Sequence, residues 1–522
     1  MKRYKQANEG IHAPEKLKEK AARPAGKRPY ARWMGAVAAV LAVLAVAIIG
    51  GAAMRTTIWL DSPDPAALSN DGLRLGPRSA SALSAHALTV AQYPEMHTYP
   101  RQDDYFSDYS DHSSAAYDRD YKAWRKDMDA LRSGTDYTGM LDEFLSASTV
   151  QFLTDAGEDN RIYSPLNIYM ALSMLAETAG GNSRQQILDL LQVDSIESLR
   201  ERAATLWKDH YQDDGTVTTI LGNSLWLRDG FTYSQKVLDT LAKDYYASSF
   251  SGEMGTEEYD QALRDWLNEQ TGGLLEEQAG QLSMEPETVL ALASTIYFKA
   301  AWDAEFNKEC TKTDVFHAPG GDVDTEFMRK AMESSFYWGE NFTAVQLRFQ
   351  EGGSMWFLLP DEGYSVDELL ENGEAMDFLL SPKSDQYDDK GNMVREGWTG
   401  QKYLTINLSM PKFDVSSDLD LIDGLQKLGV TDVFDWTISN FDPLEASTDD
   451  PLYVSKAQQA ARVKVDEDGC EAAAYTVMMI ATGAAAPPTD EVDFTLDRPF
   501  LFSVTSQSGL PLFTGVVNQP NG

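Results

Sequence analysis

From Trp33 to Met54 the chain reads WMGAVAAVLAVLAVAIIGGAAM, 22 residues without a single charge. A helix of that length, at about 1.5 Å per residue, matches a hydrocarbon core of about 30 Å. The run is apolar all round, so it has no polar face to present to water beside a soluble domain. The 32 residues before it hold ten Lys/Arg and three Glu, a local balance of +7, which leaves −44 on residues 33–522. The positive flank predicts a basic cytoplasmic segment over 1–32, a single-pass transmembrane signal anchor over 33–54 and an extracellular remainder. The alternative is a cleaved signal peptide and a secreted product. Signal peptides usually carry about 7–15 apolar residues behind a short basic region, and this run is longer and begins later, so the reading favours the uncleaved anchor.

Beyond the anchor the charge excludes one class of function. With 81 acidic against 44 basic side chains, a net −37, the chain repels phosphate backbones, and nucleic acid is not an expected partner. Its two cysteines, Cys310 and Cys470, allow at most one bridge and no cysteine-rich metal site. Residues 55–137 are predicted to form an acidic, largely disordered stalk: Pro63, Pro65 and Pro77 come early, followed by RQDDYFSDYSDHSSAAYDRDY without a sustained apolar period. Within it Tyr121, Trp124, Met128 and Leu131 keep helical spacing, which predicts a short amphipathic helix just before the domain.

Periodic segments take over near Tyr137. Leu141, Phe144, Leu145 and Phe152 mark one helix, and Ile168, Ala171, Leu172 and Leu175, after Pro165, mark a longer one. Strand-like runs follow, among them TVLALASTIYFKAAW, AVQLRFQ, SMWFLLP, YLTINLSMPKF, ARVKVDEDG, FLFSVTS and PLFTGVV, with DLDLIDGLQKLGV as an interleaved helix. The composition of elements is α+β, in one domain over 138–522. Catalytic signatures are missing from it: there is no G-x-S-x-G, P-loop or H-E-x-x-H, and His210 and His317 stand far apart. No catalytic residue, metal site or cofactor is expected.

The most informative stretch is VKVDEDGCEAAAYTVMMIATGAAAPPTDEVDFTLDRP, Val463 to Pro499. As a strand it would place Cys470, Ala472, Ala474, Thr476, Met478 and Ile480 on one face, and Glu471, Ala473, Tyr475, Val477 and Met479 on the other. Yet it runs from Gly469 into a Gly/Ala/Pro-rich tail that reads as exposed loop. The pattern fits both an ordinary strand with its turn and a loop that can become a strand.

Several separated blocks resemble the serpin family. IYSPLNIYMALSMLAETAGGNSRQQIL (Ile162 to Leu188), LGNSLWLRDGF, LRDWLNEQTGG, STIYFKAAWDAEF (Ser294 to Phe306), LPDEG, EDGCEAAAYT, LDRPFLFSV and PLFTGVVNQP follow in the family's order, over roughly Leu141 to Pro520. The resemblance implies a fold of three β-sheets and eight or nine helices with an exposed reactive-centre loop. It also implies a monomeric suicide-substrate inhibitor that forms a covalent acyl-enzyme complex with a serine protease, then traps it by inserting the cleaved loop into a sheet.

By the same resemblance the hinge comprises Glu467, Gly469, Cys470, Glu471, Ala472, Ala473, Ala474 and Thr476. The shutter network, which underlies the sheet, would be Ser164, Asn167, Ser294 and Gln459, with Gln459 where the family usually has a His, and the breach tryptophan would be Trp302. Family spacing puts the reactive bond at Gly483–Ala484, with Thr482 and Ala485 as alternates. All are small, which suits a protease with a narrow S1 pocket of the elastase type. The other function class is a non-inhibitory serpin acting as a surface binding or chaperone module, which normally carries bulky, charged or Pro residues in its hinge.

Overall fold

The computed structural model describes residues 83–101, 105, 115–137, 139–280, 282–380, 385–387, 393–395, 397–445, 452–470, 488 and 490–521. The chain divides into two units, Met1–Asp71 and Gly72–Gly522, and every described residue belongs to the second. The expected anchor over 33–54, most of the hinge and the reactive bond lie outside the described residues. Among the described residues no helix is long and apolar enough to cross a membrane.

The elements run in the order β1 (Ala87–Thr89), α1 (Ala115–Leu131), α2 (Asp142–Leu153), β2 (Arg161–Tyr163), α3 (Pro165–Thr178), α4 (Gly181–Leu190) and α5 (Ile196–His210). Then come β3 (Gln212–Asp213), β4 (Val217–Arg228), α6 (Gln235–Asp244), β5 (Ala247–Gly252), α7 (Glu257–Gln270), α8 (Glu276–Ala279) and β6 (Leu290–Ala301). The middle of the domain holds β7 (Lys312–Ala318), β8 (Gly321–Trp338), β9 (Phe342–Arg348), β10 (Ser354–Pro360), α9 (Val366–Leu370), α10 (Gly373–Leu380), β11 (Asp385–Tyr387) and β12 (Met393–Arg395). The last part adds β13 (Gln401–Pro411), β14 (Phe413–Asp420), α11 (Ile422–Lys427), β15 (Gln458–Val465), β16 (Gly469–Cys470), β17 (Glu491–Thr495), β18 (Phe500–Thr505) and β19 (Pro511–Val517). The apolar runs singled out above all fall on these strands, because each is a stretch long enough to be buried on one or both faces.

An eight-stranded sheet has the order β1-β5-β4-β6-β16-β15-β14, with β3 beside β4. A nine-stranded sheet has the order β17-β13-β8-β9-β10-β18-β19-β2, with β7 on the 18-residue β8. The pair β11-β12 stands apart. α3 is buried along nearly its whole length in the main core, and Ser164 caps it by accepting from the Asn167 amide, with Pro165 at the first helical position where no amide donor is needed. α7 lies on the opposite face of the eight-stranded sheet, over a second cluster formed by Trp226, Phe250, Tyr259 and Trp266.

The expected stalk is ordered in the parts of 83–137 that are described, so the domain begins earlier than residue 138. Trp124 and Met128 of α1 are buried, and the Trp124 indole donates to Asp214 Oδ2 at 2.9 Å. Tyr99 packs edge-on to Trp124 and donates to Glu351. Arg132 donates to the carbonyls of Lys208 and Tyr211, and Tyr137 to Asp209. α1 is the short amphipathic helix expected from the spacing of Tyr121, Trp124, Met128 and Leu131, whereas residues 83–101 are held by single anchors such as Tyr93 and Tyr99 and show no sustained apolar period.

Candidate functional site

The site is a seam in the eight-stranded sheet. β6 pairs with β4 over eleven consecutive residues, Val217↔Ala300 to Leu227↔Leu290. β15 pairs with β14 over eight, Phe413↔Val465 to Asp420↔Gln458. Among the described residues, the sheet order passes from β6 to β15 through β16: Gly469 stands opposite Ala301, and Cys470 opposite both Ala300 and Val465. The Cys470 side chain is buried in the main core. Its parity is that of Ala472, Ala474 and Thr476, which lie outside the described residues.

The end of the seam where the chain enters is tied by backbone and charge. Trp302 is buried, stacks on Phe349 at 4.8 Å and donates its indole proton to the Asp466 carbonyl at 2.9 Å. Its amide donates to the Asp468 carbonyl, and the Phe306 amide to the Glu467 carbonyl. The side chain of Asp466 accepts from the amides of Asp468 and Gly469, closing a tight turn into the hinge. Glu467, 6% exposed, accepts from the Thr311 hydroxyl at 2.8 Å and pairs with Lys412 at 3.2 Å. Burial alone would raise its carboxyl, but the hydrogen bonds from Thr311 and Lys412 and the lysine's charge outweigh that and hold it below the usual range.

Beneath the seam, residues from both sides converge on the start of α3. From β15, Gln459 accepts the Ser164 amide proton at 2.9 Å and returns a bond to the Ser164 carbonyl at 3.1 Å. From β6, the Ser294 hydroxyl meets the side-chain oxygens of Asn167 and Asn223, the latter at 2.8 Å, and its carbonyl accepts from Asn167 Nδ2 at 3.2 Å. The Ser164 hydroxyl donates to the Leu512 carbonyl. Ser164, Asn167, Ser294 and Gln459 are thus gathered in one buried network. Asn223 joins them and was not expected; its only signal is a polar residue in the middle of the apolar LGNSLWL run.

The arrangement offers no nucleophile–base pair, and among the described residues no cluster of His, Cys, Asp or Glu could hold a metal ion. His210 is buried, bonded to the Leu206 carbonyl and to Ser508, and burial pushes its imidazole down to about 4. His317 is exposed beside Asp322.

The family model for serpins, described as serine protease inhibitors, matches residues 143–520. The chain is a serpin. Its relatives include Serpin-Z2A of Triticum aestivum, 27% identical over 391 residues and covering 72% of this chain and 94% of the relative. Serpin-ZX of Arabidopsis thaliana is also 27% identical, with coverages of 70% and 94%. Among solved structures, the thermophilic serpin tengpin in its native state superposes with a TM-score of 0.63 at 25% identity, covering 75% of this chain and 98% of its own. Human kallistatin shares the fold, with a TM-score of 0.60 at 22% identity and coverages of 74% and 98%. Serpins are generally serine protease inhibitors and not catalysts. The fold expected of a serpin is the fold observed, with eleven α-helices among the described residues, one of them in the segment before the family match.

Proposed function

We propose that this serpin is a suicide-substrate inhibitor of serine proteases with a small S1 pocket, displayed outside the cell on its N-terminal anchor. The observation that carries the reading is the seam: β6 and β15 meet through Gly469 and Cys470, the first residues of the alternating run. A target serine would attack the carbonyl of the reactive bond, taken as Gly483–Ala484, forming an ester and releasing the new amine. The freed loop then extends strand β16 down the seam. Cys470 to Thr482 as a strand would reach about 43 Å at about 3.3 Å per residue, which drags the acylated protease far from where it bound. Hydrolysis of the ester loses the race.

Small residues and the absence of Lys and Arg between Val465 and Arg498 support an elastase-like target over a trypsin-like one. The test is titration against a panel of serine proteases, followed by denaturing electrophoresis. An elastase-like enzyme should form an SDS-resistant complex near one-to-one, and trypsin should not. Fast trapping of trypsin with little of elastase would overturn the specificity. No complex with any protease would favour the binding-module alternative. For the anchor, protease added to intact cells should reach the domain and leave the first 32 residues protected; a soluble product beginning after about Ala47 would mean signal cleavage instead.

A further inference from the structure

α7 begins on the β4 side of the seam and its tail is fastened on the other. Its last residue, Gln270, is 3% exposed and packs on Gly222 of β4 so closely that a Cβ there would stand 3.1 Å from the glutamine side chain. Four residues on, the Leu274 carbonyl accepts from Arg462 of β15 at 3.2 Å. Arg462 is held in turn by both carboxylate oxygens of Asp414 on β14, at 2.7 and 2.8 Å. The helix and its tail therefore form a bar across the seam, and a strand growing down from Cys470 has to pass beneath it.

The bar is gripped by residues ahead of the family match. β1 lengthens the sheet at its outer edge, with Ala87 opposite Phe250 and Thr89 opposite Ser249. The His86 carbonyl accepts from the Ser251 amide at 2.7 Å, and the Ala91 amide donates to Ser248 Oγ at 3.1 Å. Tyr93 then turns its ring among Trp207, Tyr211 and Tyr246 and donates its hydroxyl proton to Gln270 Oε1 at 3.3 Å. Along this strap, residues 83–93, Leu83 is buried in the cluster that holds Trp266, and His86 packs on Tyr259 of α7 at 5.0 Å, with a cavity of about 130 Å³ lined by Ala87, Val90 and Trp266 beside them. The strap thus grips the bar at two places, through Leu83 and His86 near its start and through the polar tie at Tyr93 near its end.

We propose that Leu83–Tyr93 is a latch: it holds α7 across the seam and sets how readily the sheet opens to a strand. The latch rests on the inserting-strand reading above. The test uses the full chain and a synthetic peptide, EAAAYTVMMIAT, the sequence of residues 471–482. Annealing is followed as a rise in unfolding temperature with incubation time, which needs no protease. Tyr93→Ala should anneal the peptide about tenfold faster than the parent. Tyr93→Phe, which keeps the ring, and Gln270→Met, which keeps the volume, should each be two- to threefold faster and also report if Tyr93→Ala fails to fold. Rates equal to the parent in folded variants, even with a lowered unfolding temperature, would make Tyr93 merely structural and overturn the latch. No annealing in the parent or in any variant would overturn the inserting-strand reading and the latch with it.

Discussion

The two joints flanking β6 differ in kind. On one side β6 and β4 share eleven backbone pairs, a ladder that does not depend on which side chains it carries. On the other, β6 reaches β15 through two residues, and what holds the halves in place is side chains: Gln459 and Ser294 on the start of α3 from below, Arg462 on the tail of α7 from above. A ladder opens only by losing many bonds together, whereas a seam bridged by a few side chains opens when those few let go. On the proposed reading, the seam is where the sheet would part to take in a strand.

The strongest way to break this comparison is to make the seam refuse its strand. Ala472 has the parity of Cys470, whose side chain lies in the core, so Ala472→Arg would bury a charge without a partner. That costs several kcal/mol, and at about 1.4 kcal/mol per tenfold it slows insertion by orders of magnitude if much of the cost appears in the transition state. The variant should fold, be cleaved as a substrate and fail to trap protease; Ala473→Arg, on the other face, should be far milder. Covalent complexes at wild-type stoichiometry in Ala472→Arg would overturn the inserting strand.

Loosening the seam from below is next. Gln459→Ala leaves the buried Ser164 amide without its partner and the Ser164 carbonyl with the Ile168 amide alone, worth about 1–3 kcal/mol of stability, whereas a substitution confined to the outer face of the β4–β6 ladder should cost well under 1 kcal/mol. Chemical denaturation of the two variants decides it; equal losses would mean that the seam is no more side-chain dependent than the ladder.

How much of this was legible varied with how local the signal was. The strands and α3 could be read from apolar runs and the spacing after Pro165, and the network of Ser164, Asn167, Ser294 and Gln459 from the blocks that resemble the family, because each is a contiguous pattern. Asn223 was not legible: its partners, Ser294 and the Tyr245 carbonyl, are far off in the chain, and a lone polar residue in a strand does not say which way it faces. Residues 83–101 are not legible as part of the domain for a related reason. Leu83 packs on the cluster around Trp226 and Trp266, Tyr93 among Trp207, Tyr211 and Tyr246, and Tyr99 against Trp124, so their spacing obeys the partner and not a helix or strand period.

Acid should separate the two joints in pH. His210, on the ladder side at the end of α5, is neutral when folded because burial pushes it down to about 4. The unfolded chain takes up a proton near 6.5 and the folded one does not, so stability is unaffected above pH 6.5 and falls as the pH drops from there to about 4, by about 3 kcal/mol. His210→Gln should flatten that window. Glu467, at the mouth of the seam, has its carboxyl held low, so its contribution is complete above the ordinary glutamate range and is lost only as the pH falls through its folded value. Glu467→Gln should therefore leave the 6.5–4 window alone and act below it. A shared window for both variants would erase the distinction.

The smallest effect tests whether exposed charge contributes to the seam at all. Lys308 reaches Asp468 at 2.9 Å, one residue from Gly469, and looks like a tie on the hinge. Its side chain, however, is 61% exposed, and such a pair gains little in water after the entropy of holding a long side chain is subtracted. Thr311, three residues along, gives its hydroxyl proton to the nearly buried Glu467, where no water replaces it as well. Lys308→Ala should therefore change stability by less than about 0.5 kcal/mol, with most of that screened by added salt, while Thr311→Val should cost about 1 kcal/mol irrespective of salt. If instead Lys308→Ala were the costlier of the two at physiological salt, the mouth of the seam would be held by surface charge, and its opening would depend on ionic strength as the buried network beneath it does not.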